Sequence, residues 1–201
     1  MKNKTLAISI PILIALVVVS ARWASTAQDA PAADSLQATD TTLALALSLE
    51  DMVNQSDVIA IGNVLETRSV WIDRNLVTLA TVAVSESLKG APGETLTVVL
   101  PGGVDANRKI PVAMTYPGAP KLTPGENTFL FLHSDSEVGG YNIAGFAQGK
   151  FSIVNDEDGE PMVSRDLRQV SLQGDNGVRR GQSNMTPLKS MKEQVKSYLK
   201  K

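Results

Sequence analysis

The stretch Asp57-Val58-Ile59-Ala60-Ile61-Gly62-Asn63-Val64-Leu65-Glu66-Thr67-Arg68-Ser69-Val70-Trp71-Ile72 decides how the rest of the chain is read. It is rich in Val and Ile, and it passes from a continuous apolar run, Val58 to Ile61, to a mixed one ending at Trp71. A long strand with a bend or bulge at Gly62 accounts for that change, because an isolated glycine inside a strand pattern marks a close backbone approach. Downstream, Arg74-Asn75 separates it from Leu76 to Leu88, where Thr78, Thr81, Val82 and Val84 favour extended backbone, so the two read as a long hairpin. Lys89-Gly90-Ala91-Pro92-Gly93 is a turn, and Leu96, Val98 and Leu100 alternate in a third strand.

Farther out, Pro101-Gly102-Gly103 stops that strand and a polar loop runs to Asn107. Ile110 to Met114 is a short edge strand, since Pro111 has no N–H to give to a central ladder. Pro117, Pro120 and Pro124 stiffen the connection from Tyr116 to Gly125. Asn127 to His133 holds Phe129-Leu130-Phe131-Leu132, an unbroken apolar core that predicts a buried strand. Tyr141 to Phe146 and Lys150 to Val154 add two strands, and Asp158-Gly159 turns the chain into Pro161-Met162-Val163-Ser164.

Two helices flank this β region. Ser48 caps Leu49 to Gln55, with Glu50 and Asp51 in the first turn, where they complement the helix dipole. Thr186 and Pro187 open a final helix as cap and first helical residue, and Leu188, Met191, Val195 and Leu199 form one apolar stripe. Lys189, Lys192, Lys196, Lys200 and Lys201 then stay solvated and complement the C-terminal dipole. Between the last strands and this helix, Gly174-Asp175-Asn176-Gly177 is a turn inside a polar loop expected to be mobile. The predicted architecture is mainly β: a small, partly open OB-like barrel with extra hairpins, a short N-terminal helix and a C-terminal amphipathic helix. In segments this is a barrel over 47–172, a mobile loop over 173–185 and a helix over 186–201.

The 201 residues carry 19 Lys plus Arg against 21 Asp plus Glu, no Cys and one His. Without cysteine, disulfide scaffolds, zinc–thiolate sites, iron–sulfur clusters and thiol nucleophiles are closed. A slightly acidic balance argues against general nucleic-acid binding, which needs clustered Lys and Arg. Lys2 and Lys4 precede an apolar run from Leu6 to Val19, and small residues follow at Ser20, Ala21, Ala24, Ser25 and Ala27. That order is a secretory signal peptide over 1–27, cleaved after Ala27 or, as the second choice, after Ala21. Retention as an N-terminal anchor is the alternative, although a span needs roughly 20 apolar residues. Cleavage after Ala27 leaves 16 basic and 21 acidic side chains and a flexible tether over 28–46. The expected product is an exported protein, periplasmic or extracellular, with no stable membrane span.

Ser56 to Val64, a second strand ending Ser87-Leu88-Lys89-Gly90 and the Val-rich third strand resemble the start of an OB-fold netrin-like domain, as in tissue inhibitors of metalloproteases. Leu122-Thr123-Pro124-Gly125-Glu126, the Phe/Leu strand and Gly145-Phe146-Ala147-Gln148-Gly149-Lys150-Phe151 are similar to small exported bacterial proteins. The resemblance spans about Leu47 to Val154 and rests on turn glycines and core apolar positions, so it implies fold rather than activity. The inhibitors insert an N-terminal Cys into the protease zinc site. Nothing in this chain matches that residue.

Among chemistry-bearing groups, His133 precedes Ser134, Asp135 and Ser136, but no Gly-x-Ser-x-Gly elbow exists and the expected role is a strand-end histidine. Asp156-Glu157-Asp158-Gly159-Glu160 is too short for a calcium loop and reads as a hairpin turn. Pro101-Gly102-Gly103 and Gly139-Gly140 lack the residues that follow a phosphate loop and read as turns. Trp71, Tyr116 and Tyr141 are candidates for a ligand face, with core or rim packing as the alternative. Arg179-Arg180 is a possible anion contact or a proteolysis site. No catalytic, cofactor-binding or metal-ligating residue is assigned. The leading expectation is a non-enzymatic exported module engaging a protein partner. The alternatives are a protease-associated inhibitor or chaperone, and a hydrolase or carbohydrate binder with a carboxylate pair.

Overall fold

A computed structural model describes residues 41–135 and 138–201; the signal-like segment 1–27, the tether up to residue 40 and Ser136 lie outside the described residues. The chain order is β1 (Thr42–Leu45), α1 (Leu49–Gln55), β2 (Val58–Ile72), β3 (Asn75–Lys89), β4 (Thr95–Pro101), β5 (Gly103–Asp105), β6 (Val112–Met114) and β7 (Asn127–Asp135). It continues through β8 (Gly140–Ile143), β9 (Lys150–Asn155), β10 (Pro161–Asp166), β11 (Val170–Gly174), β12 (Gly177–Arg180), β13 (Ser183–Pro187) and α2 (Leu188–Tyr198). The protein is mainly β with two helices, as the sequence predicts.

β2 and β3 form the long hairpin, with register shifts flanking Ile61 and Gly62 where the bend is expected. The pairing Ile72↔Asn75 puts the turn at Asp73-Arg74, one residue earlier than the sequence reading. Asp73 takes φ 52, a left-handed conformation that aspartate tolerates because its short side chain bonds locally. β3 pairs with β4, β4 pairs parallel with β8, β8 pairs antiparallel with β7, and β7 returns to β2. These five strands therefore make a ring of pairings. β7 also carries β9, to which β10 and then β13 are added as an antiparallel wing.

The apolar run in β7 reflects burial on both faces. Leu130 and Leu132 join Val58, Ala60, Val64, Val82, Val98 and Leu100 inside the ring. Phe129 and Phe131 point the other way, onto Ile59, Ile61, Phe151 and Val163, covered by Met52 and Val53 of α1 and Met191 and Val195 of α2. Period-2 alternation along β7 thus supplies one strand to two cores. α1 has the expected bounds, and its capping box is complete: Ser48 Oγ accepts from the Asp51 backbone N–H while the Asp51 carboxylate accepts from the Ser48 N–H.

Several expectations are corrected. The polar loop expected over 173–185 is built instead into β11, β12 and β13, because Asp175-Asn176 closes a tight hairpin and β13 finds the open edge of β10. The tether expected to reach residue 46 ends earlier, since Thr42–Leu45 pairs in parallel with β11. Gln148, fully buried, fastens that strand by donating to the Leu45 carbonyl and accepting from the Leu47 N–H at 2.7 and 2.9 Å. Gly103–Asp105, read as the start of a loop, pairs with Val112–Met114. α2 is capped at Pro187 with no side-chain bond, because Thr186 belongs to β13 and faces Val163. Lys192 is not free in solvent: its Nζ meets Glu86 at 2.6 Å, tying α2 to β3.

Candidate functional site

A cavity of about 410 Å³ opens where the β2–β3 turn, the end of β4 and the β7–β8 connection approach one another. Each wall has a local cause. Beyond the bend at Gly62 the outer half of β2 runs to the hairpin tip, which presents Ile72, Asp73 and Asn75. Val77, opposite Pro101, and Val99, opposite Leu79, lie diagonally across the β3–β4 ladder on the face away from the ring interior. Asp135 ends β7; its carboxylate accepts from Asn142 Nδ2 at 2.8 Å and from the Val138 N–H at 3.1 Å, which fixes the connection to β8. Phe146 closes the floor from the turn that joins β8 to β9.

Phe146 sits at φ 67, in the left-handed region next to Gly145 at φ 63. For a residue with a Cβ this costs roughly 1–2 kcal/mol, so the turn holds the ring at the cavity wall against its own backbone preference. The ring packs on Ala147, Leu167, Val170 and Leu172. Phe146→Val, which adds β-branching at positive φ and removes the ring, is expected to lower stability by about 3 kcal/mol in urea denaturation, whereas Phe146→Gly loses the ring but relieves the backbone.

The cavity lining contains two carboxylates, Asp73 and Asp135, and no Lys or Arg. Asp135, considered beside His133 for a hydrolytic triad, lines it, but of the five binding-surface candidates, Trp71, Tyr116, Tyr141, Arg179 and Arg180, none does, and those five do not share one surface. Trp71 donates from Nε1 to Asp105 at 2.7 Å, and the Arg108 guanidinium lies 4.6 Å from its ring centroid. The indole bond, with the Asn107 N–H and Arg108, holds the Asp105 carboxyl below its ordinary value, so this aromatic ring is engaged in tying β2 to β5. Tyr141 packs against the ring core. Tyr116 is exposed and lines a neighbouring cavity with Met114 and Leu122, on the other side of Pro120.

Arg180 lines a third cleft, of about 570 Å³, with Lys121, Lys150, Arg165 and Arg168, and Arg179 lies near enough to Arg165 to perturb it. Lys150 is spoken for: its Nζ and Ser152 Oγ both donate to Glu126 Oε1. Partial burial pushes the Glu126 carboxyl up, but these bonds and the Lys150 charge outweigh it and hold the group below its ordinary 4.5. A depressed carboxylate contributes stability above the unfolded-state value that is lost as pH falls through the folded one. Glu126→Gln is therefore expected to cost about 2 kcal/mol at pH 7 and progressively less as pH drops below 4.5, checked by urea denaturation across that range.

His133, Ser134 and Asp57 do meet, but not as a relay. Asp57 accepts from the Ser134 N–H at 2.7 Å, and bonds from the Ser134 backbone and hydroxyl hold its carboxyl low. Serine thus engages the acid directly, with no imidazole between them. Asp156 Oδ1 accepts from the N–H groups of Asp158 and Glu160, so the acidic run is the hairpin turn expected. Among the described residues no three His, Asp or Glu side chains are grouped to hold a metal.

Sequence reasoning missed Asp73, Val77, Val99, Phe146 and Arg165. For Arg165 a signal existed: period 2 along β10 puts it on the same face as buried Val163. Compared with known proteins, the chain matches no family model, no curated protein and no solved structure.

Proposed function

We propose that the chain is an exported, non-enzymatic binding module of OB type that engages a protein partner through the ring-end cavity. The OB reading is supported by the ring order β2-β3-β4-β8-β7 and by the single parallel contact between β4 and β8, which suit a five-stranded Greek-key barrel. Export is supported by the basic, apolar and small-residue order of residues 1–27. The likeness to netrin-like inhibitors bears on fold, and the partner need not be a protease.

The observation that carries the reading is the cavity lining: Ile72, Val77, Val99 and Phe146 offer apolar contact, with Asp73 and Asp135 at the edge and no cation. Such a surface accepts an apolar side chain flanked by Lys or Arg, and it repels phosphate backbones. Tagged protein is expected to retain one such partner from the exported proteins of its own source. Val77→Arg, which places a cation in the lining, is expected to weaken that binding about tenfold or more, and Asp73→Asn less, with the turn conformation kept. Equal retention by both variants, or no retained protein, overturns the reading.

A further inference from the structure

The 570 Å³ cleft lies between the 118–121 segment, β9–β10 and Arg180 of β12, separated from the ring-end cavity by Pro120, which lines both. Five cations line it, and Asp166 is the one carboxylate in its lining. Asp166 is fully taken by Arg168, whose Nη2 and Nε donate to it at 2.6 and 3.0–3.1 Å, and Lys150 is taken by Glu126. Arg165, Lys121 and Arg180 have no carboxylate partner among the described residues.

Arg165 is the unusual member. It is more than half buried, it lies over the Phe151 ring at 4.7 Å, and Nη1 donates to the Gln148 carbonyl at 2.8 Å. Its Nε is buried with no hydrogen-bond partner among the described residues. Burial, with the neighbouring Arg179 charge, pushes the guanidinium down from its ordinary value, but an arginine starts so high that it stays charged. A desolvated cation among like charges is costly unless an anion is near. Arg180 is held at the outer edge by its Nε bond to the Arg168 carbonyl at 3.2 Å.

We propose that this cleft is a binding site for a small molecule bearing a phosphate group, with Arg165 on its inner wall and Lys121 and Arg180 at its outer edge. Three uncompensated cations around one space match a dianion better than a single carboxylate, and the guanidinium fork suits tetrahedral oxyanions. The volume exceeds that of a free ion and fits an esterified phosphate. The site is independent of the protein-partner reading and is tested without reference to it.

The test is isothermal titration of the full chain with inorganic phosphate, with glycerol phosphate and with acetate, at matched ionic strength. Saturable binding of both phosphates, tighter for the monoester and absent for acetate, is expected. Arg165→Met, which keeps much of the volume, is expected to weaken it by on the order of tenfold to hundredfold. Arg180→Ala, at an exposed position, is expected to weaken it severalfold with unchanged circular dichroism, so the test survives any folding defect at Arg165. No saturable phosphate heat, an equal response to acetate, a monoester no tighter than the free ion, or full binding by Arg180→Ala each overturns the assignment.

Discussion

Gly62→Ala is expected to destabilise the protein by about 3 kcal/mol and to disturb the ring-end cavity, although it adds a single methyl group. Gly62 lies in the centre of the sheet, opposite Val84 on one side and Thr128 on the other. A Cβ there would stand 2.3 Å from the Ala83 carbonyl oxygen and 2.7 Å from Val82 Cγ1. The first of these is backbone in a central ladder and has nowhere to go, so β2 and β3 must part or the bend must move. A moved bend re-aims the outer half of β2, which carries Ile72 and Asp73 to the cavity. Gly125→Ala is the matched comparison: its φ of +84 disfavours any Cβ, but nothing lies within 4 Å of the added atom. About 1 kcal/mol is expected there from backbone conformation alone. Chemical denaturation of the two variants separates lack of space from lack of conformational freedom; equal losses would show that close packing at Gly62 does not govern the bend.

Phe131→Ala is expected to cost about 3–5 kcal/mol, a large part of the roughly 5–15 kcal/mol that holds a domain of this size. Phe131 is fully buried, with its ring centroid 5.3 Å from Phe129 and 6.0 Å from Phe151. The three rings belong to the apolar cluster that joins β7 and β9 to both helices. The backbone of Phe131 also holds the branch of the sheet: its N–H donates to Gly149 and its carbonyl accepts from Ala144, at 2.9 Å each. That turn carries Phe146 to one cavity, and its Gln148 carbonyl accepts from Arg165, which lines the other. Phe131→Leu, losing less volume, is expected to cost less than half as much. A thermal midpoint for Phe131→Ala within a degree or two of the parent would contradict the two-core description of β7.

The elements that were legible in the sequence are those whose causes are local. The capping box Ser48–Asp51 fixes α1, β-branched density and Gly62 fix β2 and its bend, and Asp158-Gly159 fixes the β9–β10 turn. The all-apolar segment of β7 announced a strand buried on both faces. Of the two sites, the hairpin tip and Arg179-Arg180 were visible as positions, but their companions were not. Asp73 and Asp135 lie far apart in sequence, as do Arg165 and Lys121, and composition assigns none of them a neighbour.

What the sequence by itself determined, then, is the mainly β character, most strands, both helices and the absence of thiol chemistry. Only the tertiary structure decided that β8 joins β4 to β7, that Thr42–Leu45 adds to β11, and that Ser183–Pro187 adds to β10 rather than lying in a loop. Polar stretches such as Ser183-Asn184-Met185 have no periodic apolar face, so their extended form comes from the backbone hydrogen bonds that an existing strand edge offers. The charge environment of Arg165 arises in the same way, since a cation's partners are set by which strands meet, and that depends on packing between residues remote in the chain.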